Sequence, residues 1–89
     1  MTVKDKIDSW FIQARLYFGL TKYASALRLY DKIIEYFYTY SEDLDNNYKE
    51  IYFARVYYKK ALTLYYLNQY EKSIEFYDKA ISVNPLYEK

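Results

Sequence analysis

The two halves of this chain resemble each other when the sequence is shifted along itself by 47 positions, the distance from Trp10 to Tyr57. The closest agreement aligns residues 30–34 (YDKII) with residues 77–81 (YDKAI), where four of five positions are identical. A repeat of this size is one supersecondary unit, and neighbouring units stack to bury a shared core. The sequence is therefore predicted to fold as two copies of one unit.

Each unit has the pattern of a helical hairpin, because its apolar residues recur every three or four positions in two successive runs. One Gly and one Pro in 89 residues also favour long helices over a fold with many turns. The sequence predicts an all-α fold of four helices. In the first unit the apolar positions are Ile7, Trp10, Phe11, Ala14, Tyr17 and Phe18, followed by Tyr23, Ala26, Leu27, Tyr30, Ile33, Ile34 and Phe37.

Capping residues set the expected ends of the first hairpin. Thr2 and Asp5 form a capping pair at the start of the first helix. We expect this helix to end near Gly19 and Thr21 to cap the second helix. Together these two helices make up the first repeat, at about residues 7–40.

The second hairpin follows the polar run 41–47 (SEDLDNN), which is expected to be a loop. Asn47 and Glu50 resemble a capping box, so a third helix is expected from about Asp45 to Leu67. Asn68 tolerates the left-handed conformation that ends a helix. A fourth helix is expected over residues 71–83. We interpret residues 1–89 as one domain, with the second repeat at about 54–87 and its first helix extended back to about 45.

Composition argues against catalysis. The chain has no Cys and no His, so it lacks thiolate chemistry and the commonest general base and metal ligand. The carboxylates at Glu42, Asp43 and Asp45 belong to a solvated loop, and no phosphate-binding or nucleophile motif accompanies them. We predict no enzymatic activity, no catalytic residue, no metal site and no cofactor.

The net charge and the apolar runs of the sequence indicate whether the protein is expected to bind nucleic acid or to enter a membrane. A net charge of +1 gives no basic field of the size that nucleic acid needs, so weak RNA binding is a remote alternative. No apolar run reaches the roughly 18 residues of a membrane span, and residues 1–10 lack the apolar core of a signal peptide. We expect a cytoplasmic protein that does not enter membranes.

The second copy has small and large residues at fixed positions, which are Tyr57, Ala61, Leu64, Ser73, Tyr77, Ala80 and Pro85. This pattern resembles the tetratricopeptide repeat, whose signature alternates small and large residues in this way. The second copy agrees at all seven signature positions, whereas the first departs at its last two, Ile33 and Tyr38. The resemblance implies a right-handed helical-repeat array. The offset of 47 residues exceeds the usual period of about 34.

The resemblance also implies a ligand surface on the concave side, formed by the first helix of each repeat. We therefore expect a protein or peptide partner to bind an aromatic and basic groove, with Arg15 and Lys59 as the leading candidates. Alternatively, these rings pack on one another or on a second copy of the chain. The Lys and Asn residues with which chaperone-tail-binding members hold a terminal carboxylate are not preserved. The predicted binding residues are Phe11, Ile12, Arg15, Phe18, Arg55, Tyr58, Lys59, Leu62, Tyr65 and Tyr66.

The sequence stops at Lys89, just past the second repeat. Repeat arrays usually need about three units or a cap, because one unit cannot bury its apolar face alone. We therefore expect self-association through the outer face of the second repeat, most simply as a homodimer. Two alternatives stay open: a purely structural homo-oligomeric subunit, and a monomer whose longer helices make two repeats self-sufficient.

Overall fold

A computed structural model describes residues 2–85 as two antiparallel helical hairpins. The helices are α1 (Val3–Gly19), α2 (Tyr23–Thr39), α3 (Asn46–Tyr66) and α4 (Tyr70–Val83), with a short 3-10 helix at Ser41–Asp43. Helix α1 packs on α2, α3 packs on α4, and α2 also packs on α3 to join the hairpins. The predicted all-α fold of two helix-turn-helix units is confirmed.

The start of α1 is held by a reciprocal capping box, as its sequence predicts. The Asp5 backbone N–H donates to Thr2 Oγ1 at 3.1 Å. The Thr2 N–H donates to the Asp5 carboxylate at 3.3 Å. Two N–H groups that lack partners within the helix are thereby satisfied.

The two tight turns inside the hairpins have the same geometry. Thr21 (φ 61°) and Asn68 (φ 65°) both adopt the left-handed conformation. The N–H of the next residue, Lys22 or Gln69, then donates back to the carbonyl of Tyr17 or Leu64 at 2.9 Å, which is a Schellman motif. The prediction for Asn68 is confirmed. The prediction that Thr21 caps α2 is wrong: Lys22 occupies the N-cap without a side-chain hydrogen bond, and Thr21 ends α1 instead.

The connection between hairpins is anchored by an apolar residue. Leu44 lies within the polar run, yet its side chain is buried in the core. The Tyr48 N–H donates to Asp45 Oδ1 at 2.7 Å and so begins α3. The start of α3 was predicted at the right place, but the cap is Asp45 and the expected Asn47–Glu50 box is wrong. The Asp45 side chain accepts from an N–H group in the first turn of α3, as Asn47 would have done for a helix that began two residues later.

Small residues allow the helices of each hairpin to approach closely. Ala14 and Ala26 are fully buried between α1 and α2, and Ala61 occupies the matching place in α3. Ser73 replaces the fourth alanine, and its hydroxyl donates to the Ala61 carbonyl at 2.7 Å. The buried hydroxyl therefore has a partner, and the close approach is kept.

One core fills the first hairpin and continues into α3. It includes Phe11 from α1, Tyr30 and Phe37 from α2, and Tyr48 and Val56 from α3. Burial of apolar surface of this kind is the main force that stabilises such a small array. Within residues 2–85, no helix is long and apolar enough to cross a membrane.

Candidate functional site

Four of the ten predicted binding residues line one pocket between α1 and α3: Arg15, Phe18, Lys59 and Leu62. Its volume is about 110 Å³. Arg15 comes from the first repeat and Lys59 from the second, so the two cations that were expected to lead binding share one cavity. The pocket is lined by Arg15, Phe18, Gly19, Tyr30, Lys59 and Leu62.

The cations of the pocket lack acidic partners in the part of the chain that the structure describes. The ion pairs found there are Lys60 with Asp31 and Lys79 with Glu75, and neither involves the pocket. Burial lowers the pKa of Lys59, and the positive charges of Arg15 and Arg55 lower it further. The pocket therefore concentrates positive charge that an incoming anion would relieve.

Tyr30 also lines the pocket. It reaches the site from α2, and almost none of its surface is exposed. Burial raises the pKa of Tyr30 to about 12, although the nearby Arg15 charge opposes this shift. Its hydroxyl thus stays protonated at neutral pH and can donate a hydrogen bond.

Three predicted residues make contacts within the protein. Phe11 is only 6% exposed, and its ring packs edge-on against Tyr30 and Tyr52. Phe11 therefore supports the pocket from the core, and its predicted contact with a partner is corrected on this ground. Arg55 lies over the Tyr52 ring at 5.2 Å. Tyr58 packs edge-on against Tyr77 of α4 at 5.3 Å and is partly buried.

An aromatic ladder borders the pocket at the end near the tight turns. Tyr66 stacks on Tyr23 with ring centroids 5.2 Å apart and meets the Phe18 ring edge-on at 5.5 Å. Tyr65 lies edge-on to Tyr66 and is half-exposed. These rings hold the two repeats together and also present aromatic surface beside the cations.

On the opposite side of Arg15 an open groove continues along α1. Ile12, Arg15 and Leu16 line it, and both apolar side chains are largely exposed. Ile12 was predicted as a contact residue, whereas Leu16 was not. The exposed apolar residues extend the surface that a bound segment could cover.

Sequence reasoning assigned Tyr30 and Tyr23 to packing positions on the second helix and so omitted them from the site. Tyr30 is aligned with Tyr77, and both occupy a signature position where an aromatic fills the core. The hydroxyl is the signal that could have placed Tyr30 here, since a buried tyrosine usually directs its oxygen toward a polar group or an opening.

Acidic clusters were also considered as metal sites. Within the described residues, no group of three or more Asp or Glu side chains is placed to hold a metal ion. The loop carboxylates Glu42 and Asp43 are exposed.

Comparison with family models gave two matches. A tetratricopeptide-repeat model matches residues 54–87, and a second tetratricopeptide-repeat model matches residues 8–37. Comparisons with curated proteins and with solved structures gave no significant match. The match to residues 8–37 includes most of α1 and α2, and the match to residues 54–87 includes most of α3 and all of α4. The chain therefore belongs to the tetratricopeptide-repeat family and carries two copies of the repeat.

Proposed function

We propose that this protein is a non-catalytic interaction module that binds an acidic segment of a partner protein on its concave face. Repeats of this family generally mediate binding between proteins. The observation that carries the proposal is the pocket in which Arg15 and Lys59 converge from different repeats. A carboxylate there would receive charge-assisted hydrogen bonds from both cations.

The surface around the pocket supports a peptide rather than a small anion as ligand. Ile12 and Leu16 extend it on one side, and Tyr65 and Tyr66 extend it on the other. Apolar and aromatic anchors flanking a charged group are the usual means by which a helical groove reaches micromolar affinity, about −8 kcal/mol.

A display selection of short peptides, repeated on variants, tests the proposal. The variant Arg15→Glu/Lys59→Glu should lose the acidic peptides that the unchanged protein selects. The matched control is Arg28→Glu/Lys72→Glu, which makes the same change in charge at two exposed positions away from the pocket. Peptides without acidic residues, or equal selection by both variants, would contradict the proposal.

A second candidate function is self-association through the outer face of α4. Leu27 in α2 is partly buried, whereas Ile74, its equivalent in α4, is 62% exposed. Helix α3 packs on α2, whereas within residues 2–85 the main neighbour of α4 is α3, its partner in the same hairpin. A second copy could cover Ile74 as α3 covers the first repeat.

Sedimentation at micromolar concentration tests this candidate. Dimers that dissociate in an Ile74→Asp variant would support it, with the exposed and distant Ser82→Asp change in the same helix as control. A well-folded monomer in the unchanged protein would contradict it. If the Arg15→Glu/Lys59→Glu variant dissociates the dimer instead, the concave groove itself makes the self-contact.

A further inference from the structure

The cationic site on the concave face holds more positive charge than one carboxylate can balance. Arg55 lies one helical turn before Lys59 on α3, and its charge acts on Lys59. Arg15 faces Lys59 across the pocket. The nearest acid on α1 is Asp8, about 10 Å before Arg15 along the helix axis. Two cations therefore line the pocket, the charge of a third, Arg55, acts on Lys59, and no carboxylate of the described residues lines this pocket.

The donors around the pocket match a phosphoryl group better than a carboxylate. Arg15 offers a planar fork that can bind two oxygens, and Lys59 offers a compact ammonium for a third. Tyr30 lines the same pocket, and its hydroxyl lies close enough to Arg15 for the Arg15 charge to act on it, so it can offer one more hydrogen-bond donor. A carboxylate has two oxygens and one charge, whereas a phosphoryl group has three oxygens and nearly two charges at neutral pH.

The size of the pocket permits such a group. Its volume of about 110 Å³ equals the share of roughly three to four water molecules in the liquid. Gly19 lines the pocket in the last turn of α1, and a Cβ added there would meet no side chain and no other part of the fold within 4 Å, so there is open space on this side. A side chain that carries a phosphoryl group can enter from this side.

We infer that the concave pocket binds a phosphorylated side chain of a partner protein. This inference rests on the proposed function, because the same groove receives the segment on either side of the modified residue. The exposed Ile12, Leu16 and Tyr65 favour a peptide over free phosphate, since a free anion would leave them without contacts. Phosphorylation of the partner would then switch binding on.

Two matched sets of probes test the inference. Phenyl phosphate and benzoate share a ring and differ in the anion, and each is titrated at constant ionic strength while NMR follows the Lys59 Nζ. The second set consists of degenerate peptide libraries with a fixed central phosphotyrosine, phosphoserine, tyrosine or glutamate. These libraries represent a segment of a partner protein. The protein variants are Arg15→Gln and Lys59→Gln, with Arg28→Gln as control.

We expect phenyl phosphate to bind at least tenfold more tightly than benzoate and to raise the pKa of Lys59. At least one phosphopeptide library should bind about tenfold more tightly than the glutamate library. Each pocket variant should weaken that binding about tenfold, and Arg28→Gln should leave it unchanged.

The outcomes separate the inference from the function on which it rests. Glutamate peptides that bind as tightly as phosphopeptides would overturn the inference and keep the proposed function. If phenyl phosphate binds and neither phosphopeptide library does, the inference is also overturned. The pocket would then bind a small phosphorylated molecule. Phosphopeptide binding that survives both pocket variants would place the site elsewhere. Failure of every acidic and phosphorylated peptide would overturn both.

Discussion

The Lys60 ammonium of the second repeat lies 2.5 Å from the Asp31 carboxylate of the first. The Lys60 side chain is only 16% exposed, and its Nζ also lies 4.0 Å from the centroid of the Phe76 ring. Lys60 therefore joins α2, α3 and α4. The Asp31 carboxylate and the face of the Phe76 ring both stabilise its charge at this partly buried position.

We expect this ion pair to couple the repeats. Asp31→Asn should lower the free energy of unfolding by about 1 kcal/mol, since the pair is partly buried and the Phe76 contact remains. The control is Asp78→Asn, the equivalent exposed residue of the second repeat, which should change stability by less than about 0.5 kcal/mol. Urea unfolding measures both. A double-mutant cycle with Lys60→Met that shows no coupling would contradict the assignment.

Thr21 and Asn68 have the same left-handed backbone, but only asparagine tolerates it well. Thr21→Asn should therefore stabilise the protein by about 0.5–1 kcal/mol, and Thr21→Gly should act in the same direction. The reciprocal change Asn68→Thr should destabilise by a similar amount. Midpoints of urea unfolding decide the matter, and a Thr21→Asn variant that is less stable would refute the prediction.

Close approach of α1 and α2 depends on alanine at position 26. Ala26→Val should destabilise the protein by about 1–3 kcal/mol because Ala26 is fully buried and a larger side chain would force the two helices apart. Ala24→Val on the same helix makes the same chemical change at an exposed position and serves as the control. It should cost only the small helix-propensity difference, below about 0.7 kcal/mol. If both variants lose the same amount of stability in thermal unfolding, the prediction that close packing at Ala26 stabilises the hairpin is wrong.

The buried phenol of Tyr30 makes stability depend on alkaline pH. Its pKa rises from 10.0 to about 12 in the folded protein, so folding favours the neutral form. That contribution is fully present below pH 10 and is lost as the pH rises from 10 toward 12. Tyr30→Phe removes the ionisable group, so the variant should lose less stability over this pH range. The difference between the losses of the two proteins should be on the order of 2 kcal/mol.

Burial also raises the pKa of Tyr48, Tyr57 and Tyr77, so the variant should keep a shallower decline. Urea midpoints measured from pH 9 to 12 compare the two proteins. Parallel curves would contradict the assignment for Tyr30.

Much of the fold could be predicted because its determinants are local or periodic. The Thr2–Asp5 box and the turn at Asn68 use residues with one strong backbone preference. Ala14, Ala26 and Ala61 recur at spacings that only close helix packing explains. The role of Thr21 was missed because a β-branched residue rarely has positive φ, and here the tertiary fold imposes it.

The site was harder to predict because it depends on contacts between distant parts of the chain. Arg15 and Lys59 could be selected from the repeat register, since equivalent helix faces line one surface. Phe11 occupies that register too, yet the ring turns into the core against Tyr30. Tyr30 itself comes from the second helix of its hairpin, so no pattern on α1 or α3 could indicate it.

The position at which a partner binds tests the proposed function most directly, and chemical-shift mapping measures that position. The isotope-labelled protein is titrated with an acidic peptide or phosphopeptide taken from the selections described above. We predict that the largest shift changes cluster around Arg15, Gly19 and Lys59, and that they disappear in the Arg15→Glu/Lys59→Glu variant. Changes confined to the outer face of α4 around Ile74, with the pocket unaffected, would contradict the account.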